Sequence, residues 1–100
     1  MRMLERQVKR VALGKMAEVD EFRRKAMAIE SRYGFPPQKR YGYLCGEDTR
    51  TLVIEREWDS LAAMEEAFAK VGADAEYQKL GQTSQGLYEL VRFELLVPMP

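Results

Sequence analysis

The stretch from residue 51 to residue 80, TLVIEREWDSLAAMEEAFAKVGADAEYQKL, constrains the fold of this chain more than any other. It begins with a run of β-branched and aromatic residues, which favour the pleated surface of a strand, and the run ends at Trp58. Asp59 and Ser60 follow directly, and both residue types cap helices because their side-chain oxygens accept hydrogen bonds from free backbone N–H groups. The stretch therefore predicts a strand that passes straight into a helix.

The predicted helix carries one apolar stripe. Its apolar residues recur at spacings of three and four, which places them on one helical face: Leu61, Met64, Phe68 and Val71. Gly72 is expected just beyond the helix, where glycine adopts a left-handed backbone conformation at little cost. A second short helix is expected to end at Leu80. We interpret the stripe as core packing.

The rest of the chain predicts one further helix and three further strands. Residues 3–13 alternate loosely between apolar and polar, which indicates a strand. Residues 15–33 have the periodicity of an amphipathic helix, followed by glycine and proline residues that stop it. Residues 38–45 lie before a turn-forming segment and predict a hairpin with residues 51–58. Residues 87–97 predict the last strand.

The order of these elements is β-α-β-β-α-β within a single domain, residues 1–100. This order defines the ferredoxin-like α+β plan, in which a four-stranded antiparallel sheet carries its helices on one face. The last strand is apolar on both sides, and such a strand requires cover on both faces. We therefore expect a second copy of the chain to cover the free face, as a homodimer formed sheet to sheet.

Composition limits the possible functions. Sixteen basic and sixteen acidic residues cancel, and no block of like charge indicates binding to nucleic acid or to an anionic membrane. The N-terminus lacks the apolar core of a signal peptide, and no apolar run reaches the roughly 20 residues that cross a bilayer. The single cysteine fits a reducing compartment. These features predict a cytoplasmic protein.

The absence of histidine narrows the chemistry further. Histidine is the usual acid or base at neutral pH, the usual haem ligand and a common zinc ligand. Sites of the Ser-His-Asp and Cys-His kinds are therefore excluded. No phosphate-binding loop or metal-ligand spacing is present. We expect no haem, no tightly bound metal and no other cofactor.

Several short motifs resemble those of one protein family. They are RYGY at residues 40–43, REWDSL at residues 56–61, ADAEY at residues 73–77 and FELLVP at residues 93–98. Together they resemble the NIPSNAP-type branch of the dimeric α/β-barrel proteins. The resemblance spans nearly the whole chain and implies a ferredoxin-like fold and a homodimer. It implies no single activity.

Other dimeric α/β-barrel proteins include cofactor-free monooxygenases, haem-degrading monooxygenases and lactone isomerases. The monooxygenases resemble one another in using an asparagine with a tryptophan, and a histidine where haem is bound. This chain has Trp58 but neither asparagine nor histidine. We therefore keep a cofactor-free monooxygenase or isomerase only as an alternative hypothesis for the function.

The candidate ligand site consists of arginine and aromatic side chains on the predicted strands. Arginine binds carboxylate or phenolate oxygens through paired hydrogen bonds, and aromatic rings stack on a ligand ring. We expect these side chains to bind a small aromatic or anionic molecule. Six residues are predicted to do so, on the sheet face that looks toward the partner: Arg56, Trp58, Arg92, Tyr41, Tyr43 and Tyr88.

The last strand indicates which side chains face the helices and which face the partner sheet. Its more apolar parity is expected under the helices: Leu87, Val91, Phe93, Leu95 and Val97. The other parity is expected to face the partner sheet: Tyr88, Leu90, Arg92, Glu94 and Leu96. A one-residue slip in the register of the hairpin would reverse the assignment for the neighbouring strands.

A non-catalytic dimer, serving as a structural or accessory module, is the competing hypothesis. In that case the strand arginines and glutamates form cross-strand ion pairs. A pocket buried between sheet and helices, on which strand arginines converge, would favour ligand binding. An interface filled solid by side chains would favour the structural module.

Overall fold

The computed structural model describes residues 1–100 and contains one four-stranded antiparallel sheet. The strands are β1 (Met3–Val11), β2 (Lys39–Gly42), β3 (Thr51–Trp58) and β4 (Tyr88–Leu96). They lie in the order β2-β3-β1-β4, so β1 and β3 are central. The helices are α1 (Met16–Glu30), α2 (Leu61–Gly72) and α3 (Ala75–Gly81). The predicted ferredoxin-like α+β fold is confirmed.

Helix α1 is shorter than the sequence predicts, because its last turn is a 3₁₀ helix, Ser31–Tyr33. Gly34 then has a φ of 79°, a left-handed conformation that glycine adopts without steric cost. Pro36 and Pro37 follow and lack the N–H groups that a continuing helix needs.

Helix α2 begins as the sequence predicts. The Ser60 side chain accepts a hydrogen bond from the Ala63 backbone N–H, with 3.1 Å between the heavy atoms. The expectation that Gly72 lies beyond the helix is wrong, because Gly72 is its last residue. The chain then passes into α3 through Ala73 in the right-handed conformation, and Asp74 caps the new helix at the Tyr77 N–H. No left-handed glycine is needed at this junction.

Strand β2 covers only half of the predicted residues 38–45. It is an edge strand that pairs with β3 alone, from Lys39 opposite Glu55 to Gly42 opposite Leu52. Strands β3 and β4 agree with the predicted boundaries, since β3 spans Thr51–Trp58 and β4 lies within residues 87–97.

Strand register divides the sheet residues between two faces. We call the face under the helices the helix face and the opposite one the outer face. Side chains alternate along a strand, so Glu5 and its neighbours in the sheet, Arg56 and Leu95, share the helix face. Val8 shares the outer face with Val53 and Arg92.

One irregularity interrupts the pairing of β1 with β4. Arg10 pairs with Leu90, whereas Val11 pairs with Tyr88. Glu89 is therefore an extra residue, a bulge that changes the parity of the strand. Val91, Phe93 and Leu95 lie on the helix face, as predicted, but the helices do not cover them, since they are 57%, 46% and 45% exposed. The bulge brings Tyr88 to that face as well.

Two apolar clusters lie between the sheet and the helices. The first contains Met3, Trp58, Met64 and Ala67, with Phe35 and Phe68 packed against it. Within it, the ring of Trp58 makes edge-to-face contacts with Phe35 and Phe68, at centroid distances of 5.3 and 5.9 Å. The second cluster contains Val11, Val19, Leu52 and Leu87, with Phe22 and Tyr88 packed against it. Polar side chains occupy the space between the clusters.

Candidate functional site

A network of buried charged side chains separates the two apolar clusters. Its centre is Arg56, which is only 5% exposed, beside Glu5 at 1% and Glu30 at 8%. The Arg56 Nη1 donates to Glu5 Oε2 at 3.1 Å, and its Nη2 donates to Glu30 Oε1 at 2.6 Å. One guanidinium therefore bridges two buried carboxylates.

Three neutral donors complete the network. Trp58 Nε1 donates to Glu5 Oε1 at 2.8 Å, and the Tyr77 hydroxyl donates to Glu30 Oε2 at 2.6 Å. The Gln7 side-chain amide donates to Glu5 Oε2, the oxygen that also accepts from Arg56. Burial, together with the hydrogen bond to Glu30, raises the pKa of Tyr77, so this phenol stays protonated and continues to donate. Each carboxylate oxygen therefore has a donor, as buried charge requires.

Secondary structure brings these residues together. Glu5 on β1 lies directly opposite Arg56 on β3 in the register of the two central strands. Glu30 is the last residue of α1, and its carboxylate accepts a hydrogen bond from Arg56 on β3. Tyr77 lies in the first turn of α3, which the side chain of Asp74 caps at 2.9 Å.

A partly enclosed cavity of about 170 Å³ lies beside the network, between the sheet and helices α1 and α3. Polar side chains line part of its wall: Gln7, Lys9, Arg23, Glu30, Arg56, Tyr77 and Tyr88. Val19, Phe22, Ala26, Leu52 and Ile54 supply the apolar part. A cavity of about 150 Å³ can hold benzene, so this one can accept a single ring.

Two of the cations on this wall have no carboxylate partner. The Lys9 amine lies over the ring of Tyr88, 4.9 Å from its centroid, and forms no salt bridge within 4.0 Å. Arg23 likewise forms no salt bridge, and its Nε donates to the amide oxygen of Gln38 at 2.9 Å. Burial lowers the pKa of Lys9, and the positive charge of Arg56 lowers this pKa further. Burial, with the nearby charge of Arg40, also lowers the pKa of Arg23.

The structure divides the six predicted ligand residues between two faces. Arg56 and Tyr88 line the enclosed cavity. Trp58 lies on the same helix face, but it packs in the first apolar cluster, and its Nε1 donates a hydrogen bond to Glu5. The prediction that Arg56, Trp58 and Tyr88 face a partner sheet together with Arg92 is wrong. The register pairs Glu5 with Arg56 and Val8 with Arg92, which lie on opposite sides of β1.

Arg92, Tyr41 and Tyr43 lie on the outer face, as predicted. They line an open depression of about 520 Å³. Arg92 is largely exposed there, and its Nε lies 3.2 Å from Glu94 Oε2. This depression is therefore a different surface from the enclosed cavity.

Sequence reasoning missed Lys9, Arg23, Glu30 and Tyr77 as site residues. A signal for Lys9 exists, since Glu5, Gln7 and Lys9 occupy alternate positions on one side of β1. In the ferredoxin-like plan the first strand is central, so three polar residues in a row on one side indicate a polar interior. The three helix residues carry no such signal, because charged and aromatic positions are common on exposed helical faces.

A larger groove lies at the other end of the molecule. Its volume is about 670 Å³, and it runs along the unpaired end of β3 past Pro36, Trp58 and Lys70. It is more open to solvent than the smaller cavity. We place the candidate site in the smaller cavity because that one is the more enclosed and is lined by the two cations without carboxylate partners.

Comparison with known proteins agrees with this fold. No family model matches the chain, and no curated protein matches it in sequence. A solved structure of a NIPSNAP family protein from Agrobacterium tumefaciens superposes with a TM-score of 0.83 at 21% identity, covering 98% of this chain and 86% of that one. The chain has the fold of the NIPSNAP family proteins.

Two further structures extend the likeness. A NIPSNAP domain protein from Burkholderia xenovorans gives a TM-score of 0.82 at 17% identity, covering 97% of this chain and 94% of that one. SnoaB, a cofactor-independent oxygenase from Streptomyces nogalater, gives 0.70 at 16% identity, covering 99% and 94%. The NIPSNAP fold is therefore related to that of an oxygenase, and at these identities the likeness concerns the fold alone.

Two other properties of the chain bear on its site. No helix combines the length and hydropathy needed to span a bilayer. Nowhere do three cysteine or carboxylate side chains come together in a cluster suited to a metal ion.

Proposed function

We propose that this NIPSNAP-like protein is a homodimer that binds a small organic anion, with a single ring, in the cavity between its sheet and its helices. One observation carries the proposal: Lys9 and Arg23 line a partly enclosed cavity, and neither has a carboxylate partner. The bound anion supplies the missing partner.

The charges around the cavity favour this ligand class. Lys9, Arg23 and Arg56 carry three positive charges, whereas Glu5 and Glu30 carry two negative ones, and Arg56 engages both carboxylates. A cation withdrawn from water without a partner is unfavourable. A carboxylate or phenolate between Lys9 and Arg23 would form charge-assisted hydrogen bonds, which are the stronger kind.

The remaining walls favour a ring as the rest of the ligand. Phe22 and Tyr88 contribute aromatic surface, and Leu52 and Ile54 contribute aliphatic surface. Aromatic pairs of this kind add about 0.5–1.5 kcal/mol beyond their buried area. A benzoate or phenolate fits both the volume of about 170 Å³ and the mixed lining.

Binding of benzoate and salicylate, followed by isothermal titration calorimetry, tests the proposal. Lys9→Met and Arg23→Gln each remove one cation from the cavity and are expected to lower the affinity at least about tenfold, the equivalent of about 1.4 kcal/mol. Arg24→Gln is the matched control, because Arg24 neighbours Arg23 in sequence but is exposed and paired with Glu21 at 3.0 Å. Affinity that survives Lys9→Met unchanged would contradict the proposed site.

The dimer part of the proposal concerns the outer face. Leu90 and Leu96 are each 38% exposed there, and Tyr41 is 47% exposed. Salt bridges on the same face join Arg6 to Glu55 at 2.8 Å and Arg92 to Glu94. A second copy packed on this face would cover its apolar side chains, while the cavity on the helix face would remain within each subunit.

Light scattering tests the dimer, which should have twice the mass of the chain. Leu90→Glu places a charge in the proposed interface and is expected to shift the protein toward a monomer. Leu44→Glu is the control, because Leu44 is fully exposed in the loop after β2. A wild-type protein with the mass of one chain would leave ligand binding as the surviving part of the proposal.

A further inference from the structure

We infer that Lys9 is a carbonyl-reactive amine: the cavity takes an anion that also carries an aldehyde or keto group, and Lys9 forms an imine with it. This inference rests on the proposed function, because the same anion site positions the ligand. The geometry that supports it is the amine at the wall of a partly enclosed cavity, 4.9 Å from the centroid of the Tyr88 ring and without a carboxylate within 4.0 Å.

A lysine acts as a nucleophile only as the neutral amine. Lysines reach that state at moderate pH where they are desolvated or lie next to another cation. Lys9 meets both conditions, since it is largely buried and lies close enough to Arg56 for the guanidinium to lower its pKa. A greater fraction of Lys9 is therefore neutral than of an exposed lysine at the same pH.

Charged or titratable groups face Lys9 from every element packed against it. From β3 it faces Arg56, and from α1 it faces Arg23 and Glu30. From α3 and β4 it faces the phenols Tyr77 and Tyr88, and Glu5 lies on its own strand. The two carboxylates raise the pKa of Lys9, but this effect is smaller than that of burial, and Arg56 already engages both.

The reaction balances without any further reagent. The lone pair of the neutral amine forms a bond to the carbonyl carbon, and the π electrons of the C=O bond move to oxygen. One proton passes from nitrogen to that oxygen, which gives a carbinolamine. The nitrogen lone pair then expels the hydroxyl group, which leaves as water with the second nitrogen proton. The product is an imine, and no oxidation or reduction occurs.

Other lysines of the chain provide an internal comparison. Lys25 pairs with Glu21 at 3.3 Å, and Lys70 pairs with Glu66 at 3.0 Å, both at the exposed surface of a helix. Their amines are exposed to solvent and lie next to carboxylates. Only Lys9 combines burial with a cationic neighbour, so it should react first.

Reductive trapping tests the inference on the whole protein. The protein is incubated with 4-formylbenzoate and cyanoborohydride, which reduces an imine to a stable secondary amine, and the adduct is mapped by peptide mass spectrometry. Among the lysines, we expect an adduct on Lys9 alone, and its suppression by excess benzoate. Lys9→Arg removes the primary amine and retains the charge, so it should lose this adduct. Lys9→Met, which also lacks the amine, serves if the larger arginine does not fit.

The two proposals fail in distinguishable ways. If benzoate binds but labelling is no faster on Lys9 than on Lys25 and Lys70, the carbonyl inference is overturned and the anion site survives. If benzoate neither binds nor suppresses labelling, the anion site itself is wrong. Labelling on Lys9 that benzoate does not suppress would place the reaction outside the proposed site and would overturn the inference as well.

Discussion

The buried charges of this molecule form two groups that differ in how they are balanced. On one side Arg56 bridges Glu5 and Glu30, and every carboxylate oxygen has a donor. On the other side, around the same cavity, Lys9 and Arg23 have no carboxylate. Charges that are mutually paired hold the sheet against α1 and α3. Charges left without partners are available to a ligand, at a cost to the stability of the empty protein.

The largest expected effect comes from breaking the paired group. Arg56→Met leaves the carboxylates of Glu5 and Glu30 buried without their shared cation. Removing one partner from a buried charge network costs about 3–5 kcal/mol of unfolding free energy. Urea denaturation at neutral pH measures this loss.

Arg24→Met is the control for that measurement. Arg24 pairs with Glu21 at the surface, with side chains 69% and 53% exposed, and exposed pairs contribute about 0–1 kcal/mol. If both variants lost equally little stability, Glu5 and Glu30 would not depend on Arg56, and the comparison between the two groups would fail.

A smaller effect is expected from Trp58→Phe. The substitution removes the N–H that donates to Glu5 at 2.8 Å while keeping an aromatic ring in the first cluster. A hydrogen bond to a buried charged group contributes about 1.5–3 kcal/mol, so the unfolding free energy should fall by that amount. Because Trp58 does not line the enclosed cavity, the affinity for benzoate should stay the same. Loss of benzoate binding would show that Trp58 takes part in ligand binding.

Lys9→Met should act in the opposite direction on stability. In the folded protein the pKa of Lys9 lies below its ordinary value of 10.5. Between these two pKa values the unfolded chain binds more protons than the folded one, so wild-type stability should rise with pH in that interval and fall again toward neutral pH. The variant lacks this dependence and should be the more stable protein at neutral pH. Paired denaturation curves at neutral pH and at about pH 10 check the sign.

If the wild-type protein gains no stability relative to Lys9→Met as the pH rises, then burial of the charged Lys9 amine does not lower the unfolding free energy. The charges of Lys9 and Arg23 would then be compensated in the folded protein as fully as those of Arg56, Glu5 and Glu30. In that case the argument for an anion in the cavity would lose its physical basis.

The smallest effect is expected from Arg92→Ala. The side chain of Arg92 is 57% exposed and pairs with Glu94 on the outer face. Exposed pairs of this kind contribute about 0–1 kcal/mol, and the cavity lies on the other side of the sheet. Titration with benzoate should therefore give the wild-type affinity, and a lost affinity would show that the outer face takes part in binding.

The sequence was sufficient for the order of the elements and for most of their boundaries. Capping by Ser60 and the β-branched run before Trp58 are local signals, and the structure agrees with both. The assignment of Arg56 and Arg92 to a common face failed because it depended on pairing between strands far apart in the chain. A shift of one residue exchanges the faces, and nothing within either strand indicates which residue of β1 lies opposite.

The residues at the cavity wall show the same limit. Glu5, Gln7 and Lys9 could have been recognised from their alternation on a central strand. Glu30 and Tyr77 could not, because their roles depend on where two helix ends meet the sheet. Tyr88 was assigned to the wrong face for a further reason, since the extra residue Glu89 interrupts the parity of its own strand.

The extra residue Glu89 determines which side chain of β4 lines the cavity. The ring of Tyr88 reaches the cavity because Glu89 is an extra residue in β4 relative to β1, which reverses the parity of Tyr88. Relatives that gain or lose a single residue along this edge strand would present a different side chain to the ligand while keeping every other wall. Ligand preference in proteins of this fold could therefore diverge by changes in strand length, which an alignment that compares only substitutions would overlook.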